Sequence, residues 1–381
     1  MIDELARSAR DFAAGAAPRV HAVGELEGAL RALEYLAHEG LLAWTVPARD
    51  GGADTAGLAA DDTVSVRALC AVRRELAYAS GTLDVMFVMQ GLGSYPVARA
   101  GTEELREELL PRVVAATEVA AFALTEPGAG SSLAEVSTRA ARTARGWRLG
   151  GHKTFISNAP LATFFTVLAR TSGEPGDKEG LSMFHVPAQR QGIEIRPFDV
   201  MAPHPIGEVL FHDVEVPEAS LLGDVGEGLE LSLMTLRRFR TSVAAAANGF
   251  ARRALDEAVR HLARREQFGR PLATFQGLRF DLAEMDVRLA ASELLAAAAA
   301  RAVDEGEPAT AEVARAKLFA TESASWICDR AVQHLGGLGV RRGEVVERLY
   351  REVRALRIYE GTSEIQKLVI AKELLRESAD G

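Results

Sequence analysis

Cysteine is scarce. Cys70 and Cys328 are the only two in 381 residues, which excludes a disulfide framework and leaves no thiolate set for a metal. They lie far apart in apolar or helical surroundings and read as buried reduced thiols, so a reducing compartment is expected. Excess positive charge is missing as well. A net charge of −9 offers no field to attract nucleic acid, and the pairs Arg237-Arg238 and Arg341-Arg342 are too short to form basic patches. Long hydrophobic runs are absent: the alanine stretch 296–300 stops at Arg301, so no membrane-spanning helix is expected. Asp3 and Glu4 follow Met1 with no apolar run behind them, so neither a secretory signal nor a transit peptide is expected, and the expected location is cytoplasmic. The eight histidines show neither H-x-x-x-H nor Cys/His spacing, so no metal site is expected.

What the chain does have is apolar content, 48% of its residues, and a length that suggests two or three structural units. Up to about residue 115, apolar residues recur at helical spacing, interrupted by turn signals such as Pro47-Ala48-Arg49-Asp50-Gly51-Gly52. From about 117 to 225 the pattern changes to short runs, among them Phe164-Phe165-Thr166-Val167-Leu168, Leu181-Ser182-Met183-Phe184 and Glu208-Val209-Leu210-Phe211. Turn-formers such as Gly173-Glu174-Pro175-Gly176 separate them, as in hairpins. After Gly228 helical spacing returns, with Leu278, Leu282, Met285 and Leu289 on one face and a break at Gly306-Glu307-Pro308. The reading is an α+β chain of three domains: helical over 1–116, β-rich over 117–228 and helical over 229–381. No strand, glycine turn and helix alternate along it. Neither a G-x-G-x-x-G nor a Walker A motif occurs; Gly223-Asp224-Val225-Gly226-Glu227-Gly228 and Gly336-Gly337-Leu338-Gly339 both lack the fingerprint spacing. No internal repeat or low-complexity tail is evident.

The most informative segment is Ile358-Tyr359-Glu360-Gly361-Thr362-Ser363-Glu364-Ile365-Gln366, which puts one carboxylate on a glycine-relieved turn at a helix start. Ser363 with Gln366 fits a capping box. Ile365, Leu368, Ala371 and Leu375 then recur at helical spacing, so a helix is predicted just after Glu360. Such a mounting holds a carboxylate as a catalytic base requires, although an isolated Glu-Gly pair is equally readable as an exposed loop. Two further segments suit a flat, polar-edged ligand. Phe122-Ala123-Leu124-Thr125-Glu126-Pro127-Gly128-Ala129-Gly130-Ser131-Ser132 ends an apolar run in a loop of small residues and hydroxyls, or else is a plain strand-to-loop corner. Gly151-His152-Lys153-Thr154-Phe155-Ile156-Ser157-Asn158-Ala159 offers an aromatic face at Phe155 and a hydroxyl at Ser157, expected on the same side of a strand.

Together with Arg265-Glu266-Gln267-Phe268-Gly269-Arg270-Pro271-Leu272, Phe275-Gln276 and Gln333-His334-Leu335-Gly336-Gly337, these segments resemble the acyl-CoA dehydrogenase family in order and spacing over nearly the whole chain. The resemblance implies a helical N-terminal domain, a β-barrel-like middle domain and a C-terminal four-helix bundle. It also implies one non-covalent FAD per subunit and a homotetramer built as a dimer of dimers, or a dimer. By motif, Phe122, Leu124, Thr125, Gly130 and Ser131, with Phe155, Ile156 and Ser157, would line the flavin ring, and the Thr125 and Ser157 hydroxyls would bond its polar edge. Arg265, Gln267, Phe268, Phe275 and Gln276, and Gln333, Leu335, Gly336 and Gly337 on the later turn, would hold the diphosphate and adenosine of a neighbouring subunit's FAD, with Thr362 and Glu364 completing the cofactor set. Arg240, Glu360 and Gly361 would face the substrate, while Ser131 and Lys372 would contact a pantetheine or CoA adenine end or else be structural. The implied reaction is FAD-dependent αβ-dehydrogenation of an acyl-CoA thioester to the trans-2-enoyl-CoA. Glu360 takes the α-proton, flavin N5 takes a hydride from the β-carbon, and an electron-transferring flavoprotein is the implied acceptor.

Departures from the family pattern bear on the substrate. Some members carry the base just before the arginine that Arg240 resembles, but Phe239 stands there, which leaves Glu360. Phe155, Ser157 and Ser132 stand where Trp, Thr and Asp are common. The stretch Met201-Ala202-Pro203-His204-Pro205-Ile206-Gly207-Glu208 lacks the usual Gly-x-Arg-x-Ser pattern and is shorter, and Arg237 replaces a frequent acidic residue. These two differences motivate an alternative substrate, an acyl chain tethered to a carrier protein. Glu360 argues against oxidase and monooxygenase relatives, and the acidic charge and early C-terminus argue against DNA-associated ones. Acyl chain length is not legible.

Overall fold

The computed structural model describes residues 1–380. Five helices come first: α1 (Ile2–His21), α2 (Glu25–His38), α3 (Val66–Ala79), α4 (Gly81–Ala100) and α5 (Glu103–Val114). Eight strands follow: β1 (Ala120–Ala123), β2 (Arg139–Thr143), β3 (Gly146–Ser157), β4 (Phe164–Arg170), β5 (Leu181–Pro187), β6 (Ile193–Pro197), β7 (Ile206–Pro217) and β8 (Leu221–Leu222). Helix α6 (Gly228–Arg264) leads into a short hairpin, β9 (Glu266–Gln267) and β10 (Arg270–Pro271). Four helices then complete the chain: α7 (Gln276–Asp304), α8 (Thr310–Leu335), α9 (Val345–Leu356) and α10 (Ser363–Asp380). The helix, strand, helix order expected from periodicity is present, and Gly306-Glu307-Pro308 separates α7 from α8 as predicted. None of the helices is long and apolar enough to cross a membrane, among the described residues.

By internal contact the chain forms two units, one of residues 1–14, 66–84 and 240–381, the other of residues 15–65 and 85–239. In the helical unit, α8 packs against α7, α9 and α10, and α3 packs against α7. Its core explains why alanine is abundant: Ala244, Ala247, Ala251, Ala254 and Ala258 of α6 and Ala316, Ala320, Ala324 and Ala331 of α8 are buried at helical spacing. Side chains that small let helix backbones approach closely, and Met285, Leu289, Leu349 and Val353 fill the wider gaps. The second unit is organised by one eight-stranded sheet in the order β6-β7-β3-β2-β4-β5-β8, with β1 parallel to β4. The three apolar runs read from the sequence lie in β4, β5 and β7, and the Gly173–Gly176 segment joins the antiparallel pair β4 and β5. Both strands bury nearly every residue, which is why they read as continuous apolar runs and not as an alternation.

Candidate active site

Helix α9 ends at Leu356, and the chain turns through Arg357–Thr362 before α10. Ile358 and Tyr359 N–H groups donate to Ala355 O at 2.9 and 3.1 Å, and Ser363 N–H donates to Arg357 O at 3.1 Å. The reversal needs two successive left-handed residues, Glu360 at φ 52° and Gly361 at φ 91°. A side chain on Gly361 would be strained at φ 91° and would also displace the Gln366 amide, whose Nε2 lies 2.6 Å from where a Cβ would stand. Glu360 in that conformation is strained, as functional residues often are. The helix start differs by one residue from the predicted capping box. Thr362 is the cap, its hydroxyl accepting from Ile365 N–H at 3.3 Å, while the Ser363 hydroxyl donates to Glu322 at 2.6 Å and Gln366 Nε2 donates to Gly361 O at 2.9 Å.

Cations surround this turn within the helical unit. Arg240 Nε donates to Glu360 O at 2.8 Å, and Lys317 Nζ donates to Tyr359 O at 3.1 Å and Gly361 O at 2.7 Å. Deeper lies Arg73, 1% exposed, in a two-pronged ion pair with Asp84 at 2.8 Å for both bonds and with a third bond to Ser242 at 2.9 Å. The Glu360 Oε2 atom is buried without a partner. Burial raises the Glu360 pKa above the usual carboxylate value, and the charges of Arg73, Arg240 and Lys317 partly oppose that rise. Lys317 moves the other way, lowered to about 8 by burial. A desolvated carboxylate with an unused oxygen, surrounded by cations that keep it ionisable, is a competent proton acceptor. The Glu360 N–H also finds no acceptor among the described residues, which leaves it available to a ligand oxygen.

In the sheet unit, β3 carries Phe155 and Ser157 beside a bulge. Pairing with β7 jumps from Lys153–Val209 to Ile156–Gly207, and Phe155 takes φ 55°. The regular alternation expected for Phe155 and Ser157 is therefore broken, because the extra residue re-aims the ring: Phe155 stands 61% exposed, edge-on to Phe198 at 5.3 Å. The divergent stretch 201–208 acquires a definite place. His204 Nε2 lies 2.6 Å from the Ser157 hydroxyl, and burial lowers the His204 pKa to about 4, so the ring is neutral. A buried ion pair fixes the small-residue loop. Lys153 Nζ donates to Glu126 at 2.8 Å and to Leu124 O at 2.9 Å, and Glu126 accepts from Ser137 N–H, the Ser137 hydroxyl and Thr138 N–H. Lys153 holds the Glu126 carboxyl well below the usual range. Thr125 is half-buried on this anchored loop, and Gly130 and Ser131 are exposed, with open space where a Cβ would stand on Gly128 or Gly130.

The remaining predicted residues fall in distinct places. Phe122 and Leu124 are buried at the end of β1, and Ile156 is buried under β3. Arg265, Gln267 and Gln276 are exposed around the β9–β10 hairpin, where Phe268 is 91% exposed beside Phe275 and Arg270 lies over the Phe275 ring at 4.1 Å. Gln333, Gly336 and Gly337 are exposed at the end of α8, Leu335 is half-buried, and Glu364 and Lys372 are exposed on α10. In the sheet unit, an exposed aromatic ring on a strained bulge and a loop of small residues and hydroxyls suit a flat aromatic ligand; in the helical unit, the exposed Arg265 and the aromatic rings of the hairpin suit an anionic one. Arg73, Lys317, Glu126 and Lys153 take part in these buried arrangements although no local sequence signal singled them out.

The N-terminal, middle and C-terminal domain models of acyl-CoA dehydrogenase match residues 2–117, 121–214 and 226–375. The chain is 34% identical over 380 residues to the cyclohexane-1-carbonyl-CoA dehydrogenase of Geobacter metallireducens, covering 99% of this chain and 97% of that protein. It is 37% identical over 310 residues to the caffeyl-CoA reductase-Etf complex subunit CarC of Acetobacterium woodii, covering 79% of this chain and 80% of that one. The butyryl-CoA dehydrogenase structure from Megasphaera elsdenii superposes with a TM-score of 0.89 at 31% identity, covering 98% of both chains. With all three domain models in register along it, the chain belongs to the acyl-CoA dehydrogenase family and so among the FAD-dependent oxidoreductases.

Proposed function

We propose that the protein dehydrogenates an acyl-CoA thioester between its α and β carbons, with Glu360 as the base. The observation that carries this reading is the Glu360 turn, a strained, desolvated carboxylate with an unpartnered oxygen and a free backbone N–H on the same residue. A carboxylate is too weak to remove an ordinary α-proton. The Glu360 N–H, by donating to the thioester oxygen, stabilises the enolate that develops and lowers the α-carbon's pKa toward that of the base. Displacement of water by the acyl chain raises the base's pKa further and strengthens that hydrogen bond. Bound FAD supplies the hydride-accepting centre at its N5.

Phe155, Thr125 and Ser157 are the residues we assign to the flavin ring, with His204 fixing the Ser157 hydroxyl. Arg265, Phe268 and Gln276 would hold the diphosphate and adenosine of a neighbouring subunit's FAD, which requires at least a dimer; a dimer of dimers is the assembly we propose, with a dimer as the alternative. Arg265→Ala should then purify largely without flavin. Full flavin occupancy in that variant, read from absorbance against protein, removes the assignment. We assign the three domains to 1–116, 117–228 and 229–381 and propose an electron-transferring flavoprotein as acceptor; a relative named as a subunit of an Etf complex supports a partner of that kind.

The reading is tested by incubating the holoprotein with acyl-CoAs of different length and branching and an artificial electron acceptor. The expected product is a trans-2-enoyl thioester, and recovery of unchanged thioester throughout would refute the reading. A carrier-protein thioester is the second reading. It rests on the divergent 201–208 stretch and on Arg237, which is exposed beside Glu230 in a surface ion pair. Turnover of carrier-bound chains with none of CoA esters would establish it.

A further inference from the structure

Lys317 is fully buried in the middle of α8, with Ala316 and Ala320 buried beside it. Burying an ammonium is costly unless something compensates it, and a carboxylate is the usual partner. Lys317 has none within ion-pair reach among the described residues. Its ammonium instead spans two backbone carbonyls, Gly361 O at 2.7 Å and Tyr359 O at 3.1 Å. Those two carbonyls flank Glu360, whose own carbonyl accepts from Arg240. Three consecutive carbonyls are thus held by cationic side chains where the chain passes through its left-handed pair. Helix α8 grips the same turn a second time, through Glu322, which accepts from Arg357 Nε at 2.8 Å and from the Ser363 hydroxyl at 2.6 Å.

We propose that Lys317 is the positioning residue of this site: by bridging the carbonyls on either side of Glu360 it holds that residue in its strained conformation and so fixes where the base's carboxyl group stands. Two physical consequences follow. Without the bridge, the carbonyls on both sides of Glu360 lose their cation, Arg240 and Glu322 alone hold the strained turn, and its relaxation moves the carboxyl group. The ammonium also places positive charge near that carboxyl group and favours its ionised form. The groups that face the ammonium are Glu360, Arg240, Glu322 and Glu364; Glu322 is already paired with Arg357, and Glu364 is exposed on α10. Geometry and charge therefore come from one side chain, and two substitutions separate them. Lys317→Gln keeps hydrogen-bond donors and removes the charge, whereas Lys317→Met removes both.

The proposal rests on Glu360 being the base, and the experiment distinguishes the two. Amide hydrogen exchange over residues 357–363 is measured on the apoprotein, and flavin reduction by thioester is measured on the FAD-loaded protein as a function of pH. Lys317→Met should lose exchange protection in the turn and slow flavin reduction by roughly 10- to 100-fold with thioester binding unchanged, the size expected for a misplaced catalytic group. Added methylammonium should restore part of that rate. Lys317→Gln should keep the protection and move the rising limb of the pH profile to higher pH, because the carboxylate has lost a cation. Parent-level protection and rates in both variants would overturn the proposal. If the parent reduces no flavin with any thioester, the proposed function fails, and the exchange comparison still decides whether Lys317 holds the turn.

Discussion

Glu360→Gln should bind FAD and thioester as the parent does and lose flavin reduction by about 10³- to 10⁴-fold, the upper range for a general base. Glutamine keeps the shape of the side chain and its left-handed backbone but offers no basic oxygen. The pH dependence identifies the group. Burial raises the Glu360 pKa, so in the parent the rate rises with pH through a value above the ordinary carboxylate range and then levels. That limb should vanish in the variant. Stability should move the other way. A carboxyl whose folded pKa is raised binds more protons in the native than in the unfolded state, so its ionisation destabilises the fold as pH rises through that interval. At neutral pH the Gln variant should therefore unfold at no lower urea concentration than the parent. A variant that still bleaches flavin at the parent rate would remove Glu360 as the base, and one that unfolds earlier would show its loss to be structural.

The second large effect concerns Arg73. Replacing it with methionine leaves the Asp84 carboxyl buried without its partner, which should destabilise the protein by about 3–5 kcal/mol, read as a shift in the urea midpoint. Replacing Asp84 with leucine in the same chain removes the orphaned charge and should recover most of the loss. The two variants part ways on chemistry. Arg73 is the foremost cation opposing the rise of the Glu360 pKa, and Asp84 exerts a smaller, opposite effect. Both variants should therefore shift the rising limb of the flavin-reduction profile to higher pH, even where stability is restored. A double variant with parent stability and the parent pH profile would assign the pair to the fold alone.

The contrast between Arg73 and Arg74 shows where sequence reading reaches its limit. They are adjacent on α3, yet Arg73 is buried in an ion pair and the Arg74 side chain is 40% exposed, because the helix turns Arg73 toward Asp84 of α4 and Ser242 of α6 and leaves Arg74 beside Glu75 of its own helix. Lys317 is similar, a single lysine among alanines whose partners lie some forty residues further on. Local patterns did carry the α+β order, the three strand runs and the Glu360 turn, since periodicity and a glycine after the carboxylate are local properties. Sequence alone places the helix start one residue late because Thr362 and Ser363 both cap well, and only the tertiary partner Glu322 decides between them. His204 was visible only as a departure from a pattern. Its position depends on an irregular stretch folding back to Ser157, which no spacing rule encodes.

In the proposed reaction, α-proton removal by Glu360 accompanies loss of hydride from the β-carbon. Rapid anaerobic mixing of the FAD-loaded protein with its thioester, deuterated at the α position in one experiment and at the β position in another, tests it most directly. Either label should slow flavin bleaching. Bleaching that is insensitive to the α label, or an absence of bleaching with every thioester offered, would contradict it.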